Sequence, residues 1–134
     1  MADNNLSGRR ILVVEDEMII AMLLEDMLAD LGCEVIGVAS RVAMALAMIE
    51  NGTPFDAAVL DVNLNGEKSY PVAAALAARG VPFAFSTGYD GRGMDREYSR
   101  IPVVQKPYCK ADVERTLLDL LIANAGCGKW AAAS

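Results

Sequence analysis

The chain is predicted to fold as an α/β domain: a parallel sheet of five strands, doubly wound, with helices on both faces. Three observations lead there. Short aliphatic runs alternate along the chain with segments whose apolar residues keep helical spacing. The connections between them are only a few residues long, which suits right-handed crossovers between parallel strands. The runs are apolar throughout rather than alternating, as in strands buried on both faces.

Ile11 to Val14 is the first such strand. From Glu17 to Leu31 the residues Ile19, Ile20, Leu23, Leu24, Met27, Leu28 and Leu31 share one helical face, Glu25, Asp26 and Asp30 take the other, and Gly32 supplies a stop. Glu34 to Val38 is the second strand, and Ser40 is the expected cap of a helix from Arg41 to Asn51. That helix is rich in Ala and Met, and tight packing is the simplest account of it. Asp56 to Leu60 forms the third strand; after a turn at Asn63 to Gly66 a helix runs to about Arg79, with Pro71 suited to its first turn.

Val81 to Phe85 is the fourth strand and Ile101 to Val104 a short fifth, followed by a helix from about Cys109 to Asn124. The segment between them, Thr87 to Ile101, is the weak link. It carries three glycines and few aliphatic residues, so little burial offsets the entropy of ordering it. A short or mobile fourth helix is expected over Asp90 to Arg100. The domain is expected to span 8–125, with 126–134, including Trp130, as a disordered C-terminal tail.

Composition narrows the function. At 134 residues and 54% hydrophobic, the chain is large enough for one core, yet its longest apolar stretches fall far short of the roughly 20 residues of a membrane span. No membrane partner is expected. A net charge of −6 without a basic run argues against nucleic acid. The absence of histidine excludes Ser-His and Cys-His catalysis and any His-ligated metal. Cys33, Cys109 and Cys127 are odd in number and widely spaced, which fits a reducing cytoplasm better than a disulfide framework.

Four of the strands end on polar residues of particular kinds: Glu15-Asp16, Asp61, Ser86-Thr87 and Lys106. Singly, each has a bland explanation as a helix cap, a turn residue or a solvated charge. Jointly they would gather at one edge of a parallel sheet, where open α/β sheets put their ligands.

This set, with Pro107 after the lysine, resembles the receiver domain of two-component response regulators over about residues 8 to 124. The resemblance implies a flavodoxin-like (βα)5 topology with strand order 2-1-3-4-5. It also implies that Asp61 is the phosphoacceptor, that Thr87 holds a phosphoryl oxygen and that Lys106 supplies a counter-charge. Three carboxylates within about 5 Å would repel by roughly 3 kcal/mol per pair at an effective dielectric near 20, so a divalent cation is expected, and oxygen-only ligands point to Mg²⁺. Its expected ligands are Glu15, Asp16 and Asp61, with the Asn63 backbone carbonyl added by resemblance. A cis peptide between Lys106 and Pro107 is implied in the same way.

The chain departs from the family pattern at Val103, where most receivers carry the Tyr or Phe of an aromatic switch. Pro82-Phe83-Ala84-Phe85-Ser86-Thr87-Gly88-Tyr89, Asp61-Val62-Asn63-Leu64-Asn65-Gly66 and Lys106-Pro107-Tyr108 look like a subgroup of mostly stand-alone receivers marked by Phe-Ala/Ser-Thr-Gly-Tyr. Two readings stand for Tyr89: with the segment behind it, it reports phosphorylation by ordering, or it is simply a surface ring. Glu15 in place of the commoner Asp is a second departure.

Two function classes follow. The leading one is a stand-alone receiver that takes a phosphoryl group from a histidine kinase or phosphotransfer protein and either changes its contact with a downstream protein or drains phosphate from the kinase. By resemblance, the kinase docks near the first helix and the loop after the fifth strand. The alternative is a phosphorylation-independent interaction module of the same fold. Enzyme readings fare worse. A haloacid-dehalogenase-type phosphatase needs an acid two residues after its nucleophile, where Asn63 stands, and a flavodoxin needs a phosphate loop where Glu15-Asp16-Glu17 stands.

Overall fold

The computed structural model describes residues 6–87, 101–106 and 108–127, the last five as backbone only. In chain order the elements are β1 (Arg10–Val14), α1 (Met18–Asp30), β2 (Glu34–Ala39), α2 (Val42–Glu50), β3 (Ala57–Asp61), β4 (Asn63–Leu64), β5 (Glu67–Lys68), α3 (Tyr70–Ala78), β6 (Phe83–Thr87), β7 (Val103–Gln105) and α4 (Lys110–Cys127). The main sheet is parallel throughout, in the order β2-β1-β3-β6-β7. With the small β4–β5 ribbon set aside, this is the 2-1-3-4-5 order expected. The predicted fourth helix, Tyr89 and the Lys106–Pro107 peptide lie outside the described residues, as does the tail from 128 on.

All of β3 and β6, and β1 from Ile11 on, are buried, as both-face coverage by helices requires. On one side α2 and α3 pack on each other. Elsewhere α4 meets α1 at the surface, where Lys110 Nζ lies 3.6 Å from Asp30 Oδ2. The core extends to Leu6, which is fully buried two residues before the expected domain start. Gly32 ends α1 at φ +90°, and a Cβ there would meet the Ser7 backbone at 3.3 Å, so this position favours glycine for conformation and for space.

The element boundaries move for identifiable reasons. Proline cannot donate to a ladder, so β6 starts after Pro82 and β7 after Pro102, and each proline contributes only its carbonyl, to Ala58 N at 3.1 Å and Phe85 N at 2.9 Å. Both strands therefore run later than predicted, and Ser86 and Thr87 lie within β6 rather than beyond it. Asp56 stands outside β3 because its carboxylate is held by Arg10, through the backbone N–H at 2.7 Å and the guanidinium at 3.1 and 3.2 Å.

Two local expectations are corrected. Ser40 does not cap α2: Arg41 is the cap residue, without a side-chain cap bond, and the Ser40 amide instead lies 3.5 Å from Met44 Sδ. The turn at Asn63 to Gly66 is a β-hairpin, with Asn63 paired to Lys68 and Leu64 to Glu67. Asn65 at φ +52° and Gly66 at φ +86° give it the left-handed pair of a two-residue hairpin turn, and α3 begins only at Tyr70.

Candidate functional site

The polar strand ends meet at the carboxyl edge of the sheet. Val14 is paired with Leu60 and Asp61 with Ser86, so Glu15, Asp61 and Thr87 sit at nearly one level on three adjacent strands. Thr87 is paired in turn with Gln105, and its carbonyl accepts from the Lys106 N–H at 2.9 Å, which fixes Lys106 at the start of the same edge.

Glu15, rather than Asp16, is the inward acid. Its backbone N–H donates to Ala39 O at 2.9 Å, extending the ladder by one residue, and the residue is only 2% exposed. Oε2 accepts from the Glu17 N–H at 3.2 Å. Oε1 lies 3.0 Å from Lys106 Nζ as an ion pair but has no partner with hydrogen-bond geometry. Asp16 is less buried, and its Oδ2 accepts from the Asn65 N–H at 2.9 Å, so the hairpin tip steadies this carboxylate.

Asp61 closes the group. Lys106 Nζ donates to its Oδ2 at 3.0 Å, and the Asn63 N–H points to its Oδ1 at 3.4 Å. One oxygen from each of Glu15, Asp16 and Asp61 lies within 4.8 Å of the others. Of the residues singled out in the sequence, Glu15, Asp16, Asp61, Asn63, Thr87 and Lys106 are all brought to this edge.

The charges at this edge do not balance. Burial first, and then the Asp61 charge, push the Glu15 carboxyl up to about 7, against the pull of Lys106 and the Glu17 amide. Burial draws the Lys106 ammonium down, but Asp61 and Glu15 together outweigh it and hold it above the ordinary lysine value. Fully ionised, three carboxylates against one ammonium leave an excess negative charge that a divalent cation would offset. Hard oxygen ligands only, and a buried Glu15 oxygen without a hydrogen bond, are the donor set that Mg²⁺ fits.

One neighbour escaped the sequence reading of the site. Tyr108 is buried beside it, and its hydroxyl lies 2.8 Å from Ser86 Oγ, itself fully buried. Burial pushes the phenol up to about 12, the Ser86 bond opposes this, and the charges of Glu15, Lys106 and Asp61 all reach it. A serine directly after the apolar run Phe83 to Phe85 and a tyrosine two places after the lysine were the available signals. Val103, where an aromatic is usual, is 38% exposed on the edge strand.

A model of the response regulator receiver domain matches residues 11–107. Among solved structures, the chain is similar to SdrG from Sphingomonas melonis Fr1, with 50% identity, a TM-score of 0.77 and coverage of 85% of this chain and 97% of that one. It is similar to the BeF3-activated conformation of SdrG from Pseudomonas melonis Fr1, with 48% identity, a TM-score of 0.75 and coverage of 86% and 98%. The receiver domain of the response regulator PhyR from Erythrobacter litoralis aligns at 25% identity and a TM-score of 0.72, over 87% of this chain and 92% of that one. No curated protein matches the chain.

Proposed function

The chain belongs to the response regulator receiver domain family, and from that membership we propose that it accepts a phosphoryl group on Asp61 from a phosphohistidine of a partner kinase or phosphotransfer protein. The observation that carries this reading is the Asp61 carboxylate held 3.0 Å from Lys106 Nζ, with Glu15 and Asp16 oxygens within 4.8 Å. The chain is itself the group that is modified, not an enzyme turning over a separate substrate.

In the transfer, an Asp61 oxygen forms a bond to phosphorus as the bond from phosphorus to the donor imidazole nitrogen breaks; the donor ring, protonated from solvent on its other nitrogen, takes the electron pair and leaves as neutral imidazole. Bound Mg²⁺, held by Glu15, Asp16, Asp61 and the Asn63 carbonyl, would neutralise charge on the transferring oxygens. Lys106 already faces Asp61 and needs only to follow the new phosphoryl oxygens, and the Thr87 hydroxyl donates to one of them once the acyl phosphate forms. Asn63 stands where a hydrolytic enzyme would put a second acid, so the acyl phosphate persists long enough to signal. A relative half identical to this chain has a beryllofluoride-activated conformation, which supports the same chemistry here.

The donor reaches the site along α1. Met18, Ile19, Met22 and Leu23 are exposed on this helix, Ile19 by 80%, and they begin two residues after Asp16. Four large apolar side chains on one exposed face next to a reactive carboxylate suit an apolar docking surface on the partner that carries the phosphohistidine. A cytoplasmic setting agrees with the free thiols Cys33 and Cys109. The output is a changed contact with a downstream protein, or removal of phosphate from the kinase.

The test is phosphorylation of the full chain by acetyl phosphate and by candidate kinases, followed by intact mass. We expect a gain of one phosphoryl group with Mg²⁺, none in EDTA, and none in Asp61→Asn. Modification that persists in Asp61→Asn would place the acceptor elsewhere and refute the assignment.

A further inference from the structure

We propose that Tyr108 is a positioning residue for the phosphoryl chemistry: its bond to Ser86 ties the segment that carries Lys106 to the strand that carries Thr87, and so aims the lysine at Asp61. The proposal rests on the receiver reading for its consequence, but its structural premise can be tested without it.

Lys106 needs an anchor. Its side chain is long and its ammonium must sit 3.0 Å from both Glu15 Oε1 and Asp61 Oδ2. Holding such a chain in one geometry requires that its backbone be fixed. On the N-terminal side that backbone is held by β7, an edge strand of three residues with Val103 and Gln105 exposed and Pro102 unable to donate, which the Lys106 N–H extends by one bond to Thr87 O at 2.9 Å. This is a short anchor. On the C-terminal side, the Tyr108 hydroxyl is fixed on Ser86 at 2.8 Å.

Ser86 is the right place for a tether. It is paired across the sheet with Asp61 on one side and with Val104 on the other, its carbonyl accepts from Val62 N at 3.2 Å, and Thr87 follows it in the chain. Nucleophile and phosphoryl-binding hydroxyl thus adjoin one buried serine, and the lysine stands two residues before the tyrosine bonded to it. Stability alone does not call for the pair. Alanine and phenylalanine would fill nearly the same volume without two buried hydroxyls, and replacing both partners of a buried hydrogen bond by apolar groups is often nearly neutral. What the bond adds is direction: it fixes where the ring, and with it the chain two residues past Lys106, must lie.

The experiment uses the full chain with Tyr108→Phe, Ser86→Ala and the double variant. The first readout is the NMR signal of the Lys106 ζ-ammonium in unphosphorylated protein, which is slowed in solvent exchange when two carboxylates hold it. The second is the initial rate of phosphorylation by acetyl phosphate with Mg²⁺. We expect each single variant to exchange-broaden the ammonium signal and to slow phosphorylation about fivefold, the range open to one buried hydrogen bond. The double variant should be no slower than the worse single one, because both remove the same bond. Should Tyr108→Phe fold poorly, Ser86→Ala reads the bond from its other end. An unchanged Lys106 signal in the variants overturns the proposal, and so do rate effects that multiply in the double variant. Failure of the parent protein to take phosphate would instead refute the receiver reading, and the ammonium signal would still decide this one.

Discussion

Replacing Glu15 by glutamine should stabilise the metal-free protein at pH 8 and leave it unchanged at pH 4. Glu15 is almost fully buried, and burial with the Asp61 charge holds its carboxyl up at about 7, against an ordinary value of 4.5. The shift already includes the attraction of Lys106, so ionising Glu15 opposes folding even with the lysine in place. Below the unfolded pKa the group is protonated in both states and contributes no difference. Between about 4.5 and 7 the folded protein keeps a proton that the unfolded chain loses, so stability falls as pH rises. Above 7 the loss is complete, and at 1.36 kcal/mol per pKa unit it amounts to about 3 kcal/mol. The amide of Glu15→Gln keeps an oxygen for the Glu17 N–H and carries no charge, so the variant escapes this loss. For a domain of this size the gain corresponds to a rise in Tm on the order of 10 °C. Thermal unfolding of both proteins in EDTA, from pH 4 to 8.5, reads Glu15 together with its coupling to Asp61 and Lys106, because titrations of groups that do not interact with it cancel in the difference. A difference that stays flat across this range, or a variant less stable at pH 8, would refute the reasoning. Saturating Mg²⁺ should close the gap, because the parent then gains about 3 kcal/mol at a hundredfold excess over Kd.

Two further outcomes follow from the fold. Burial pushes the Cys33 thiol up to about 11, whereas Cys109 is exposed, so iodoacetamide at pH 8 should label Cys109 in the native protein and reach Cys33 only after unfolding, as read by peptide mass. Gly66→Ala should lower stability in urea by about 1 kcal/mol through backbone strain alone, because φ is +86° and nothing lies within 4 Å of the added Cβ; no loss would mean that the hairpin turn tolerates an L side chain.

The sheet and its polar edge were legible because both depend on short-range chemistry. Ile11 to Val14 and Ala57 to Leu60 are buried runs that allow little but a central strand, and a parallel sheet collects their polar endings at one edge whatever the loops do. Boundaries were less legible where backbone donors mattered: Pro82 and Pro102 delay β6 and β7 by removing N–H groups, which apolar patterning does not register. The Asn65-Gly66 pair was visible as a turn, but that it makes a hairpin whose tip amide holds Asp16 depends on a contact between residues 49 apart in the chain. The bond between Tyr108 and Ser86 escaped for the same reason. A tyrosine beside a proline and a serine in a strand each look ordinary until the fold puts their oxygens 2.8 Å apart.

The same long-range placement explains why Glu15 and Asp16, neighbours in sequence, have separate parts. Continuing the ladder past Val14 turns the Glu15 side chain into the sheet edge, where it meets Lys106 and feels Asp61. The next residue leaves the ladder, and Asp16 swings to the hairpin and solvent, where the Asn65 amide offsets part of its charge. Glu15 is thus the acid that raises the charge density around Asp61 and Asp16 the one that cation binding can recruit with little desolvation. A longer acid suits the inner position, because its extra methylene lets the carboxylate reach Lys106 from the strand end while its second oxygen stays on the Glu17 amide. Glu15→Asp would shorten that reach by about 1.5 Å. It should therefore break one of the two contacts, lower the Lys106 ammonium toward the ordinary lysine value and leave the Asp61 contact intact. A 15N titration of the Lys106 side chain that is identical in parent and variant would show that the pairing with Glu15 carries no weight.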